Sequence, residues 1–345
     1  MPEQTRSSPP AADHGAEQRQ PEVELVADDE LDGTDSGFSV PLTNSLTSLR
    51  SSILAYQEEN GRTYHAMSAG KYLFPNDDAE VERLDMQHHI VKMTLDYRLC
   101  LCPKNDGAKR VLDLGTGTGI WCIDYADAHP GAEVIGVDLS PVQPDLVPPN
   151  CSFEVDDLEK EWTWSKRFDL ITSRMMNGSF ADPAAIVEKV YNQLEPGGYF
   201  EVHDMAASVG CDDDTLPEDS DLVTFTRVLR EAMEAAGRPM TAAEKWKSWM
   251  EEAGFESVVE TTYKWPTNSW PRDRKYKTLG RWTLINMGQI LEPAVLAPLT
   301  RVLGWTREEA LVLAAKANTV LKDTKVHAYW PIHVIYGRKP LKKSD

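Results

Sequence analysis

The stretch RVLDLGTGTGIW, residues 110–121, limits the fold more than any other part of the chain. Val111-Leu112-Asp113-Leu114 is an apolar run long enough for a buried strand. Gly115, Gly117 and Gly119 follow at alternate positions before an amphipathic segment opens at Ile120. A strand that ends in Gly-x-Gly-x-Gly and continues as a helix leaves bare backbone for a ligand. Without Cβ atoms the chain turns tightly and the ligand approaches closely, and the first helical amides point at it. A phosphate loop carries Gly-Lys-Ser or Gly-Lys-Thr, which is absent here. A dinucleotide loop reads G-x-G-x-x-G, and counted from Gly115 the third glycine falls one residue early. The loop therefore fits a ligand with an adenosine end and no pyrophosphate.

The next two strands extend this reading. Glu133-Val134-Ile135-Gly136-Val137-Asp138 is apolar and β-branched, and its terminal acid lies 19 residues beyond Gly119. An acid at the end of the second strand of a βαβ unit accepts hydrogen bonds from ribose hydroxyls. Ser152-Phe153-Glu154-Val155-Asp156-Asp157 again ends in acids. A carboxylate there accepts from an adenine amino group, and Asp157 is the preferred candidate over Asp156. Each acid taken singly also fits a helix cap or a turn. Their order is what points to a site, because open α/β sheets bind ligands at the carboxyl ends of their strands.

Periodicity places the remaining elements. A helix is expected from near Leu46 to Gly61, and a second over about 79–101 with an apolar stripe of Val81, Leu84, Val91 and Leu95, on which His88 also falls. Strands are expected near 110–114, 133–138, 151–156, 168–173 and 198–203, with Glu195-Pro196-Gly197-Gly198 as the turn before the fifth. Helices alternate with them, notably 183–194, so the sheet is parallel with helices on both faces. Two helices (219–236, 241–253), a strand (255–263), a helical stretch rich in tryptophan (266–326) and a last strand (328–337) complete the chain.

The series VLDLGTGTG, VIGVDLS, FEVDDLE, FDLITSR and LEPGGYFEVHD resembles the class I S-adenosylmethionine-dependent methyltransferases. More narrowly, GRTYHAMSAGKYLFPNDDAEVERLDMQHHI, LSPVQPDLVPPNCSFEVDDLEKEW, EEAGF, LGRW, LGWTREEA and HAYWPIHVIYGRKP resemble the fungal LaeA-like (UMTA-type) methyltransferases, from about residue 45 to 340. The resemblance implies a Rossmann-like core with a seven-stranded, mostly parallel sheet, the last two strands forming its antiparallel edge. The division would be an acidic disordered tail (1–45), an N-terminal helical lid (46–106), a cofactor-binding core (107–265 and 327–340) and a helical cap (266–326). It also implies methyl transfer from S-adenosyl-L-methionine, with S-adenosyl-L-homocysteine as product and no metal. It does not imply a substrate, because the family spans regulators and tailoring enzymes; the cofactor motifs together with a large, aromatic, non-basic cap point to an oxygen or nitrogen of a small secondary metabolite as acceptor. The alternatives are a nuclear regulatory subunit of secondary metabolism and a protein or peptide methyltransferase.

The same resemblance assigns residues. Asp113 and the loop of Gly115, Thr116, Gly117 and Gly119 face the methionine portion; Asp138 holds the ribose and Leu139 lies beside the adenine. Arg174 and Met175, ending the fourth strand, sit where this class meets cofactor and substrate. Tyr64, Tyr72 and Arg83, from the upstream segment, close over the cofactor, with Arg83 pairing its carboxylate. His203, at the end of the fifth strand where such proteins often carry Gln, is the candidate general base or a hydrogen-bonding substitute for that Gln. His88 reads as a core histidine beside His89; His327 and His333 receive no role. Trp265, Trp270, Trp282, Trp305 and Trp330 read as core, with some available to line an aromatic substrate pocket.

Composition narrows the partners. The 345 residues carry 55 acids against 36 bases, a net charge of -19. That argues against nucleic acid, whose phosphates need a basic face, and against an anionic membrane. Residues 1–45 hold ten acids and two arginines with few large apolar side chains, a composition that cannot bury a core. A partner-binding role for this tail is the sharper alternative to a solubilising one. The five cysteines show no Cys-x-x-Cys spacing and read as reduced thiols of an intracellular protein, cytoplasmic or nuclear.

Overall fold

The computed structural model describes residues 56–65, 67, 71 and 73–342. The expected tail, Tyr72 and the start of the first expected helix lie outside them. Where that helix was to end, the chain instead forms a hairpin, β1 (Gln57–Glu59) with β2 (Arg62–Tyr64). The reason is the dipeptide Asn60-Gly61, both at positive φ (54° and 78°), the turn chemistry whose twist matches two paired strands. The 46–106 segment is thus not wholly helical.

Helix α1 (Asp78–Thr94) is started by Asp77, whose side chain accepts from the Glu80 amide. It stops earlier than its periodicity suggests, because Asp96 and Tyr97 turn to φ 52° and 63°. Five parallel strands then alternate with helices: β3 (Arg110–Leu114), α2 (Ile120–Ala128), β4 (Glu133–Asp138), β5 (Cys151–Val155), β6 (Phe168–Arg174), α3 (Pro183–Gln193) and β7 (Leu194–Met205). The expected turn at 195–198 lies within β7, where the pairing with β6 shifts register. A two-residue strand β8 (Gly210–Cys211), α4 (Asp221–Ala235), α5 (Trp246–Glu252), β9 (Glu256–Pro266), α6 (Arg274–Ala297), α7 (Arg307–Lys322) and β10 (Ala328–Arg338) follow.

The strand order is β5-β4-β3-β6-β7-β10, with β9 on the far side of β10 and β8 extending the β7 edge. Strand β10 runs antiparallel to both β7 and β9, so it alone is reversed among the seven long strands. This is a Rossmann-like sheet with one reversed strand, as the resemblance implied.

Alternation along the strands builds two cores. Leu112, Leu114, Ile135 and Ile171 pack with α3 and with Trp246 and Met250 of α5. Val111, Val134 and Leu170 face the other way, onto Trp121, Cys122 and Tyr125 of α2. A third cluster joins Ile90 and Val91 of α1 to α4, α6 and α7, with Trp265 and Trp330. Residues 266–326 therefore share their core with α1 and α4. All five cysteines are free thiols. Among the described residues no helix is long and apolar enough to cross a membrane.

Candidate functional site

The carboxyl ends of β3, β4, β5 and β6 open into one cavity, roofed by α1. Strand register orders its polar groups. Leu114 pairs with Val137 on one side and Ser173 on the other, so Gly115, Asp138 and Arg174 stand level on three adjacent strands. Asp138 pairs with Val155, which puts Asp156 beyond it on the fourth. Asp156, Asp138, Gly115 and Arg174 thus span three strand spacings, about 14 Å.

The loop between β3 and α2 is held by its own backbone demands. Gly115, Gly117 and Gly119 all have positive φ (67°, 56° and 78°). A Cβ on Gly119 would lie 2.3 Å from the Phe153 ring, and one on Gly115 2.2 Å from Met176 Sδ. Gly119 therefore serves packing and does not line the cavity, whereas Gly115, Thr116 and Gly117 do. Gln143 Nε2 donates to the Gly117 carbonyl at 2.6 Å, and Thr118 Oγ1 donates to Asp85 of α1 at 2.7 Å. Sequence periodicity carries no signal for either contact.

Asp138 accepts from the Gly117 amide (2.9 Å) through Oδ2 and from the Ser140 amide (3.0 Å) through Oδ1. Burial raises its pKa, opposed by those two amides. With the Leu139 amide also directed at it, the carboxylate keeps acceptor capacity for a further donor, and Leu139 lines the wall beside it. Asp157 departs from its expected place of preference. Its Oδ2 accepts from Lys71 Nζ at 2.6 Å and its Oδ1 from the Glu159 amide at 3.1 Å, and Lys71 also pairs with Glu159. Asp156 accepts from the Asp157 amide through Oδ1. Its Oδ2 has no partner among the described residues, so Asp156 has more capacity left for an adenine amino group.

Asp113 does not reach the cavity wall. It is buried beneath the loop, 2.9 Å from Thr172 Oγ1. Burial raises its pKa, against the charge of Arg174. Arg174 and Met175 do line the cavity, Met175 at φ 56° with its amide on the His203 carbonyl (2.7 Å).

Three expected residues lie elsewhere. Arg83 is buried in a two-bond pair with Glu80 (2.9 and 2.6 Å) and donates to Asn286 (2.8 Å), so its charge is already matched. Tyr64 is buried under the Arg301 guanidinium, 4.8 Å from the ring centre, and its burial raises its pKa. His203 is sealed off, 1% exposed, with Nε2 2.6 Å from Glu201 Oε1. Glu201 in turn accepts from the Leu101 and Cys102 amides. A general base must reach its proton, and neither His203 nor any of the five tryptophans named above is on this cavity wall. Trp265 and Trp330 are core and Trp282 is exposed, against His89.

The stripe expected to be core does reach the cavity: Val81, Leu84, His88 and Val91 form its roof. His88 lies between Arg174 Nη1 (3.1 Å from Nδ1) and Asp124 Oδ2 (3.0 Å from Nε2). Burial pushes its pKa down to about 4, with the charge of Arg174 in the same direction.

Comparison with known proteins agrees with this geometry. The family described as methyltransferase domain matches residues 86–261. The methyltransferase pytC of Aspergillus terreus is 39% identical over 303 residues, 88% of this chain and 94% of that protein. The probable methyltransferase tdiE of Emericella nidulans is 36% identical over 76% of this chain and 83% of its own length. The secondary metabolism regulator LAE1 of Cochliobolus heterostrophus is 36% identical over 89% of this chain and 99% of its own length. With a glycine loop, an acid after the next strand and a reversed strand in the sheet, the chain belongs to the S-adenosylmethionine-dependent methyltransferase family.

Proposed function

We propose that this methyltransferase modifies an oxygen or nitrogen of a small, largely apolar molecule of secondary metabolism. The observation that carries the reading is a single cavity with adenosine-type acceptors at one side, a cation at the other and an apolar roof. Bound S-adenosylmethionine supplies a methyl group on a sulfonium, transferred by in-line displacement. The residues fit that cofactor: Gly117 leaves the loop open, with only Leu84 as near as 3.5 Å to an added Cβ, Asp138 retains acceptor capacity, and Arg174 Nε is a buried N–H without a partner among the described residues.

The chain's own part is positioning and exclusion of water. Val81, Leu84, Val91, Met175, Met176 and Phe180 give an apolar wall suited to a flat acceptor. Lys71, Glu80, His88, Asp157 and Glu159 on the same wall are already partnered within the protein. This favours an acceptor that is nucleophilic without a dedicated base: a neutral amine, a phenolate or a carboxylate. The net charge of -19 supports a partner other than nucleic acid.

A second reading, a regulatory subunit, is favoured by the match to LAE1 over 99% of that protein, with residues 1–45 as the segment that meets a partner. Purified protein, cofactor labelled in its methyl group and extract from the source cells separate the two. Label among small molecules supports the tailoring reading and leads to the acceptor. Label confined to protein refutes it and makes deletion of residues 1–45 the next step.

A further inference from the structure

We propose that Arg174 is the cation that receives the cofactor's carboxylate, and that His88, locked by Asp124, is the residue that positions it. The inference rests on the cofactor reading above and assigns to Arg174 the role that the family resemblance implied for Arg83.

The first observation is a missing counter-ion. Half-buried and buried arginines of this acidic chain are matched by carboxylates: Arg62 by Asp77, Arg83 by Glu80, Arg110 by Glu133, Arg238 by Glu159. Arg174 forms no ion pair among the described residues. Among those residues its one hydrogen bond goes to an imidazole nitrogen, and its Nε is buried without a partner. A guanidinium has five donors and is charged at any ordinary pH. To leave it so poorly matched beside a cavity is costly unless an anion arrives there. Asp113 feels its charge but makes no direct contact.

The second observation is rigidity. The guanidinium carbon lies 5.6 Å from the centre of the Trp121 ring, within cation–π range. Nη1 donates to His88 Nδ1. Because a guanidinium only donates, that nitrogen must carry the lone pair, and the His88 proton is on Nε2, donated to Asp124. Lys92 Nζ, 2.6 Å from the same Asp124 oxygen, holds that carboxylate in turn. Burial opposes ionisation of Asp124, but Lys92 and His88 outweigh it and lower its pKa. His88 is therefore a neutral acceptor of fixed orientation, and both of its nitrogens are spent. It acts through Arg174 and is not itself a base.

The third observation is place. Arg174 stands level with Gly115, on the side of β3 away from Asp138. A ligand with its ribose at Asp138 extends its other end across the loop toward Arg174.

Isothermal titration of the full chain with two probes tests the assignment: S-adenosylhomocysteine, and S-adenosyl-3-thiopropylamine, which lacks only the carboxylate. The wild type should favour the first by about 10- to 100-fold, the range of a charge-assisted pair. Arg174→Met should remove most of that preference while binding of the decarboxylated probe stays within about threefold. His88→Leu should cost S-adenosylhomocysteine about 3- to 10-fold and leave the other probe alone. His88→Gln, which keeps one acceptor and one donor, should recover much of the loss. Equal wild-type affinity for the two probes overturns the assignment and leaves the cofactor reading standing. Parallel loss of both probes in the variants makes Arg174 and His88 merely structural and also overturns it. Failure of the wild type to bind either probe overturns the cofactor reading itself and the assignment with it.

Discussion

Asp138→Asn separates the two duties of one carboxylate. In the folded chain its oxygens accept from the Gly117 and Ser140 amides at 2.9 and 3.0 Å. An amide side chain has one acceptor oxygen, so the substitution turns an NH2 group toward one of those N–H donors. One charge-assisted bond is lost, about 1.5–3 kcal/mol of stability. The ribose then meets a neutral partner with one acceptor fewer, which should weaken S-adenosylhomocysteine by about 2–4 kcal/mol, or roughly 30- to 1000-fold. Thermal melting with and without ligand reads both effects. With ligand at 100 times the wild-type Kd, the wild type gains about 2.7 kcal/mol, whereas a variant with a 100-fold higher Kd gains about 0.4 kcal/mol. The ligand-induced rise in Tm should fall from roughly 5 °C to under about 1 °C. A variant that melts like the wild type and keeps the full ligand-induced rise would refute the role of Asp138 in both loop and site.

Three further predictions follow from the packing. Gly119→Ala places a Cβ 2.3 Å from the Phe153 ring at φ 78°, and should lower stability by about 2 kcal/mol or more in denaturant melts. His203→Gln, able to donate to Glu201 as the imidazole does, should leave kcat within about threefold; a loss of 100-fold or more would restore His203 as the base. The third concerns pH. Burial raises Asp204 to about 7, against bonds from Trp246, Asn177 and Met205, so its contribution to stability is full below the unfolded value near 4 and lost as pH rises toward 7. His88, lowered to about 4 by burial, contributes the opposite slope, with stability lost as pH falls from about 6.5 to 4. Relative to wild type, Asp204→Asn should therefore become more stable with rising pH in that window and His88→Gln less; parallel melting curves for all three would contradict both assignments.

The match to several fungal relatives over most of the chain leaves tailoring enzyme and regulator distinguished by acceptor and not by fold. The labelling experiment addresses that difference directly.

Local sequence determined the parallel sheet. Runs such as Val111–Leu114 and Val134–Val137 are too apolar to sit anywhere but between helices, and glycines at alternate positions force the turn that follows. The acids after β4 and β5 were legible for the same reason, since a polar residue ending a buried strand must emerge at the sheet edge. Periodicity alone, however, does not separate a core face from a face that lines a cavity. Val81, Leu84, His88 and Val91 carry the pattern of buried residues because a ligand pocket is apolar too. Nor does sequence show which charges cancel. Arg83 and Arg174 look alike in the chain, but Glu80 lies one helical turn from Arg83 and neutralises it, whereas the neighbours of Arg174 arrive from α1 and α2, tens of residues away. Pairing of charges across such distances depends on where helices pack, and that was decided by the tertiary structure.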